Sequence, residues 1–296
     1  MSASSAPSYI LFRPSASEIP LVCESPYSGT RYPDDFGHAV SRALLRSAED
    51  KHVESLWSEL IRVGGTLVAT TFPRSYIDPN RKLDDIDPLM LASPWPYAIN
   101  PSEKSQTGRG LLWSAVGKGA SIYDRKLSVA EVKHRIDTCY RPYHTAVVTA
   151  VKCTCARFGV AWHLNLHSMP SDAYERLRLN RSHKFVDFVL SDHYGATCEP
   201  QFVDIVKSEL RRKGYSVVRN DTFKGAELAR QFRKERMRSN SLQIVVRRSL
   251  YMDERSLKRI EGFKALQMDL GSVARSIAEY LRDHALCSPE RRVLRC

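Results

Sequence analysis

Short apolar runs that stop at turn residues, alternating with stretches of helical spacing, constrain this chain more than any other feature. Ile19-Pro20-Leu21-Val22-Cys23-Glu24 reads as a buried strand that ends at Ser25-Pro26, because proline has no N–H to offer a ladder. From Ser41 to Val63 the residues Leu44, Leu45, Val53, Leu56, Trp57, Leu60 and Ile61 recur at helical intervals, and Gly64-Gly65 closes that pattern. Thr66 to Phe72 predicts a second strand. Ser128-Val129-Ala130-Glu131 has the spacing of a capping box and predicts a helix to about Phe158, ended by Gly159. Val160 to Leu166 and Phe185 to Ser191 read as strands, Gln201 to Lys213 as a helix closed by Gly214, Ser216 to Arg219 and Ser241 to Arg247 as strands, and Arg255 to Ala285 as a final amphipathic helix. This alternation predicts an α/β fold, a three-layer α/β/α sandwich with a largely parallel sheet. The proline-rich stretch from Asp84 to Gly119 is expected to be a long loop over the sheet. Ligand crevices in such sheets lie beyond the carboxyl ends of the strands, which would place Tyr27, Arg74 to Arg81, His167 and Asp192 on one rim.

Composition narrows the class further. A chain of 296 residues, 43% hydrophobic, can build one large core. We read one domain over 19–285, preceded by an N-terminal segment 1–18 and followed by a disordered tail 286–296. The sequence contains no apolar run of membrane-spanning length and no signal-like start, so a cytoplasmic protein with no membrane partner is expected. The seven cysteines have no Cys-x-x-Cys spacing and are expected to be reduced thiols. Cys153 and Cys155, the close pair, point to different sides of a helix. A formal charge of +12 is compatible with nucleic acid, an anionic substrate or neither. The basic residues are spread along the chain without a nucleic-acid module, so they read as solvated surface and no specific nucleic-acid partner is expected.

Several motifs carry chemistry. In chain order they are Ser25-Pro26-Tyr27-Ser28-Gly29 with Tyr32-Pro33, the acidic pair Glu49-Asp50, Arg74 with Asp78-x-Asn80-Arg81, Arg141-Pro142-Tyr143-His144, His167-Ser168-Met169-Pro170, Asn220 with Lys224-Gly225, and Leu250-Tyr251-Met252-Asp253-Glu254. Together, from Ile19 to about Tyr280, they make the chain resemble the N-formylglutamate amidohydrolase (formylglutamate deformylase) family. The resemblance implies a phosphorylase/hydrolase-like fold akin to zinc carboxypeptidases. It also implies hydrolysis of an N-acyl amino acid by zinc-activated water. Amide hydrolysis of this kind needs a metal held by about three protein groups with one position open, and a carboxylate to move the proton.

Carried over residue by residue, the resemblance makes Asp50 and His167 the metal ligands and catalytic residues. It makes Arg74, Asp78, Asn80, Arg81, Arg125 and Asn220 the groups that bind an anionic N-acyl amino acid, arginine forks being suited to carboxylates. Three positions depart from the pattern. Tyr27 stands where the family has a histidine ligand. Asn165 replaces an acid two residues before the second histidine, and Val245 replaces a glutamate resembling the general base. His193 also stands where an arginine is usual.

Each of these residues has a plainer reading. His167 could be a strand-end imidazole bonded to backbone, the arginines could be ion-pair partners, and Asp78-x-Asn80 could be an Asx turn. Tyr143-His144 could be helix packing. Lys104, in the long loop, is read as a lid residue. His163, some 13 Å from His167 at about 3.3 Å per residue, cannot share a metal with it and reads as structural. Two functions stand side by side: an amidohydrolase of impaired activity, or a catalytically silent relative that binds an anionic small molecule or a partner protein.

Overall fold

The structure is a computed structural model in which residues 7–173, 186–221 and 227–286 are described. The expectations for Lys224-Gly225, for Phe185 and for the tail 287–296 fall outside these residues. In chain order the elements are strand β1 (Tyr9–Phe12), β2 (Leu21–Ser25), helices α1 (Arg42–Arg46), α2 (Val53–Leu56) and α3 (Glu59–Arg62), β3 (Thr66–Thr70), α4 (Glu103–Gln106), the hairpin β4 (Ala115–Val116) and β5 (Ala120–Ser121), then α5 (Val129–Arg135) and α6 (Arg141–Phe158). They continue with β6 (Ala161–Met169), β7 (Phe188–Ser191), α7 (Pro200–Arg212), β8 (Val217–Arg219), α8 (Glu227–Lys234), β9 (Ser239–Arg247) and α9 (Gly262–Leu286). The chain divides into two compact units. One comprises Met1–Ile10, Pro26–Lys51 and Ala69–Ala146, and the other Leu11–Ser25, His52–Val68 and Val147–Cys296.

The second unit is built on a sheet of strand order β1-β3-β2-β6-β9-β7-β8. β2, β6 and β9 are parallel, β8 is parallel to β7, and β7 runs antiparallel to β9. The sheet is therefore largely parallel and flanked by helices, as the alternation predicts. Successive strand residues point to opposite faces, and here the two faces differ in kind. Leu21, Cys23, Trp162, Leu164, Leu166, Phe188, Leu190, Leu242, Ile244 and Val246 form one apolar face, packed under Val53, Leu56, Leu60, Phe202, Val206, Leu270 and Ile277 of α2, α3, α7 and α9. Full burial of each such side chain is worth about 1.5–3 kcal/mol, which makes this face the main stabilising layer. The alternate positions, Glu24, His163, Asn165, His167, Ser241 and Gln243, are polar and also buried. On that side Phe232 of α8 meets the His163 ring edge-on at 5.1 Å, which supplies the third layer.

Several boundaries differ from expectation for local reasons. The helix expected over 41–63 is three short helices, because His52 takes a left-handed conformation (φ 70°) that an α-helix cannot contain. The capping box at Ser128 is present, but the helix it starts passes through a π-helical turn at Ile136–Tyr140. Pro142 follows that turn: it has no N–H and its ring crowds the carbonyl four residues back, at Thr138. The last helix begins at Gly262 rather than Arg255, since Asp253, Ser256 and Leu257 close a turn with Leu257 at φ 56°. The loop from Asp84 to Gly119 contains α4 and a short 3₁₀ turn at Pro88–Met90. Sequence periodicity missed β1, which is too short to establish a period, and α8. The described cysteines are free thiols.

Candidate active site

In the first unit the Ser25-Pro26-Tyr27-Ser28-Gly29 turn is fixed by a close backbone approach. A Cβ on Gly29 would lie 2.0 Å from the Phe72 carbonyl oxygen, so only glycine fits. The turn buries Tyr27, whose hydroxyl donates to Asp78 Oδ1 at 2.8 Å. Asp78 Oδ1 also accepts the Asn80 N–H (2.9 Å), which closes an Asx turn, and Oδ2 accepts Trp113 Nε1–H (3.0 Å) and Arg74 Nη2–H (3.3 Å). Arg81 Nη2 is 3.9 Å from the same Oδ2. Burial alone would raise the Asp78 pKa, but the Arg81 and Arg74 charges, the Asn80 N–H and the Tyr27 hydroxyl together hold it below the usual carboxylate range. Asp78 is thus an ionised hub whose acceptor sites are taken by its own chain.

Arg74 is held as a plate. Its guanidinium carbon lies 3.3 Å from the centre of the Tyr27 ring and 4.5 Å from that of Trp113. Its Nε is buried and has no hydrogen-bond partner among the described residues. Arg81 is oriented by donating Nε–H to the Arg109 carbonyl (3.0 Å) and Nη1–H to that of Asn80 (2.9 Å). Lys104 on α4 is exposed along its side chain, yet the surrounding protein and the neighbouring Arg81 charge lower its ammonium pKa to about 8. Water reaching the exposed part of the chain screens some of that effect.

The other motif residues of this unit have partners of their own. Arg125 is at the surface, pairing its Nη2 and Nη1 with the two carboxylate oxygens of Glu131 at 2.5 and 3.1 Å. Asp50 is fully buried and its N–H donates to the Tyr27 carbonyl at 2.9 Å. Its neighbour Glu49 accepts the Tyr32 hydroxyl at 2.9 Å. His144 contacts the Pro79 carbonyl oxygen at 2.7 Å, joining the helix at 141–158 to the Asp78 turn.

In the second unit His167 lies near the end of β6, opposite Val245 of β9 in the parallel register. Val245 is therefore beside the histidine, a methyl-bearing wall packed with Met169, Ala173, Val186 and Val189. Two residues earlier, Asn165 Nδ2 donates to Glu24 Oε1 at 2.7 Å across the β2–β6 pair. The same Glu24 oxygen is 3.3 Å from His163 Nε2, and His163 Nδ1 is 2.7 Å from Ser241 Oγ. His163 is thus a structural link in a buried network, as its distance from His167 suggested. Beyond β6, Arg248 Nε–H donates to Ser168 Oγ (2.9 Å) and Glu254 accepts the Ser171 N–H (2.9 Å), which fastens the His167-Ser168-Met169-Pro170 turn.

The expected place of Asp192 needs a correction. Asp192 takes Arg219 at 2.5 Å and Asn220 Nδ2–H at 2.6 Å, and Asn220 accepts the Asp192 N–H at 3.0 Å. Because β7 is antiparallel to β9, its carboxyl end points the other way: Ser191 lies level with Gln243, while His167 lies level with Val245. The rule of one rim holds only for strands of one direction, so Asp192 is not on the rim of His167.

The metal question follows from the donors. Burial pushes the Tyr27 phenol far above its ordinary pKa, and Asp78 occupies its proton, so it stays neutral. Among the described residues no group of three or more His, Cys, Asp or Glu is placed to hold a metal ion. The residues described do not make up the three-donor set that a zinc site uses.

Trp113, Glu24 and Ser241 escaped the sequence reading. Trp113 lies in a stretch without period, where nothing marks it. Glu24 carried a readable signal, a charge inside an apolar strand.

A mostly parallel sheet flanked by helices defines an α/β/α sandwich. The family model for N-formylglutamate amidohydrolase matches residues 19–252, and the chain belongs to that family. It is 54% identical to the N-formylglutamate amidohydrolase of Ralstonia eutropha, whose crystal structure superposes with a TM-score of 0.91 over 94% of this chain and 100% of that one. The N-formylglutamate deformylase of Pseudomonas aeruginosa is 25% identical over 270 residues, 90% of this chain and 93% of its own. That of Pseudomonas putida is 26% identical over 244 residues, 80% of this chain and 83% of its own.

Proposed function

We propose that this family member recognises an N-formyl or other N-acyl derivative of an acidic amino acid and hydrolyses its amide slowly. The observation that carries the reading is Arg74: a guanidinium clamped between Tyr27 and Trp113, with a buried Nε that has no partner among the described residues. A preformed planar cation loses little entropy when a carboxylate pairs with it. Arg81 and Lys104 add charge to the same neighbourhood, and Asp78 orients the arginines while offsetting one charge.

Slow turnover rests on Val245 and Tyr27. A valine moves no proton, and loss of a general base costs about 10²–10⁴-fold. The same residue supports a second reading, a catalytically silent binder of an anionic small molecule or partner protein. Calorimetric titration with N-formyl-L-glutamate tests the recognition step. Saturable binding that weakens about tenfold or more in Arg74→Ala is expected. Undetectable binding, or equal binding by the variant, overturns the assignment.

A further inference from the structure

A second cationic recess lies in the second unit, away from His167. α8 buries Leu228, Ala229 and Phe232, and its exposed residues include Arg230 and Arg233. Three residues apart, these two arginines share a helix face. With His193 and Thr197 they line a cavity of about 410 Å³, within the size range of small-ligand sites.

Its place in the fold is set by Thr197. Ser241 N–H donates to the Thr197 carbonyl (2.6 Å), and the Thr197 hydroxyl donates to the Ser241 carbonyl (2.9 Å). Ser241 pairs with His163 on β6, four residues before His167, so the recess sits at a level of the sheet some 13 Å from that of His167, at about 3.3 Å per residue. The Thr197 proton is thereby committed, and the charged donors that line the cavity are the two guanidiniums.

The charges there are poorly balanced. Glu227 approaches Arg230 Nη1 at 3.9 Å, and Asp192, next to His193 in the chain, is engaged by Arg219 and Asn220. Among the described residues no carboxylate pairs with Arg233. Like charges on one helix face repel, and an oxyanion between them would relieve that repulsion through charge-assisted hydrogen bonds.

We infer that this recess binds a compact oxyanion, a phosphate or carboxylate group, at a site separate from the proposed amidohydrolase centre. The test is calorimetric titration of the full chain at low ionic strength with inorganic phosphate and, separately, with L-glutamate. The same titrations are run on Arg230→Gln/Arg233→Gln, with its unfolding midpoint checked; Arg233→Gln alone serves if the double variant unfolds. Saturable binding of either anion that weakens about tenfold or more in the variant supports the site, and the anion that binds more tightly identifies the group. No saturable binding of either anion, or equal affinities in native and variant proteins, overturns it. Because neither arginine belongs to the Arg74–Asp78 cluster, the outcome is independent of the N-formyl-L-glutamate titration.

Discussion

The Asp78 cluster of the first unit and the β6–β9 face of the second are both buried polar assemblies, but they have kept different things. Around Asp78 the charges remain and satisfy one another: one carboxylate takes a phenol, an indole, a backbone N–H and an arginine, with a second arginine beside it. Along β6 and β9 an apolar residue enters the polar pattern: Val245 lies beside His167, and Asn165 donates to Glu24. On the proposed function, the contrast teaches that recognition and reaction chemistry can be lost separately. Anion recognition needs fixed cations, whereas amide hydrolysis needs every member of a ligand and base set.

The comparison can be broken most forcefully at Asp78. Asp78→Ala would leave the Tyr27 hydroxyl and Trp113 N–H without their acceptor and two arginines without their counter-charge. Loss of about 3–5 kcal/mol in urea unfolding is expected, as for a broken buried ion pair. A loss under about 1 kcal/mol would mean that Asp78 is no hub.

Asn165→Asp probes the other face. It would place a second carboxylate against Glu24, raising one folded-state pKa of the pair above its unfolded value. The stability of this variant relative to the native protein should then be best below about pH 4 and fall as pH rises through the raised value, to a deficit of about 2–3 kcal/mol at pH 7. Adding Glu24→Gln should recover most of it; a pH-independent deficit would point to packing instead.

A smaller effect is expected at Lys104. Its ammonium, lowered to about 8 beside Arg81, Arg74, Asp78 and Asp85, is charged below that pH, so affinity for N-formyl-L-glutamate should fall severalfold as pH rises through about 8. Lys104→Met should flatten that profile, and an unchanged profile would exclude Lys104 from the site. The smallest effect is assigned to Arg125, whose pair with Glu131 is exposed. Arg125→Ala should cost at most about 1 kcal/mol and leave ligand affinity unaltered; weaker binding would restore it to the site.

The sequence exposed the scaffold because strands and helices leave periods. It exposed the motif residues because short motifs in order are specific. It could not reveal strand direction, since nothing in Phe188–Ser191 says that β7 runs against β9, and the expected position of Asp192 failed on that point alone. Nor could it tell which arginine is buried against aromatic rings. Arg74 and Arg125 look alike in sequence, and only the rings around one and Glu131 beside the other separate them.

The account turns on the native protein binding an N-acyl acidic amino acid while reacting slowly, so formate release from saturating N-formyl-L-glutamate is the direct measurement. From an ordinary turnover near 10 s⁻¹, a missing general base predicts release below about 0.1 s⁻¹. Release at or above about 1 s⁻¹ by the native protein would contradict the account and show that another group does the work of the residue replaced by Val245.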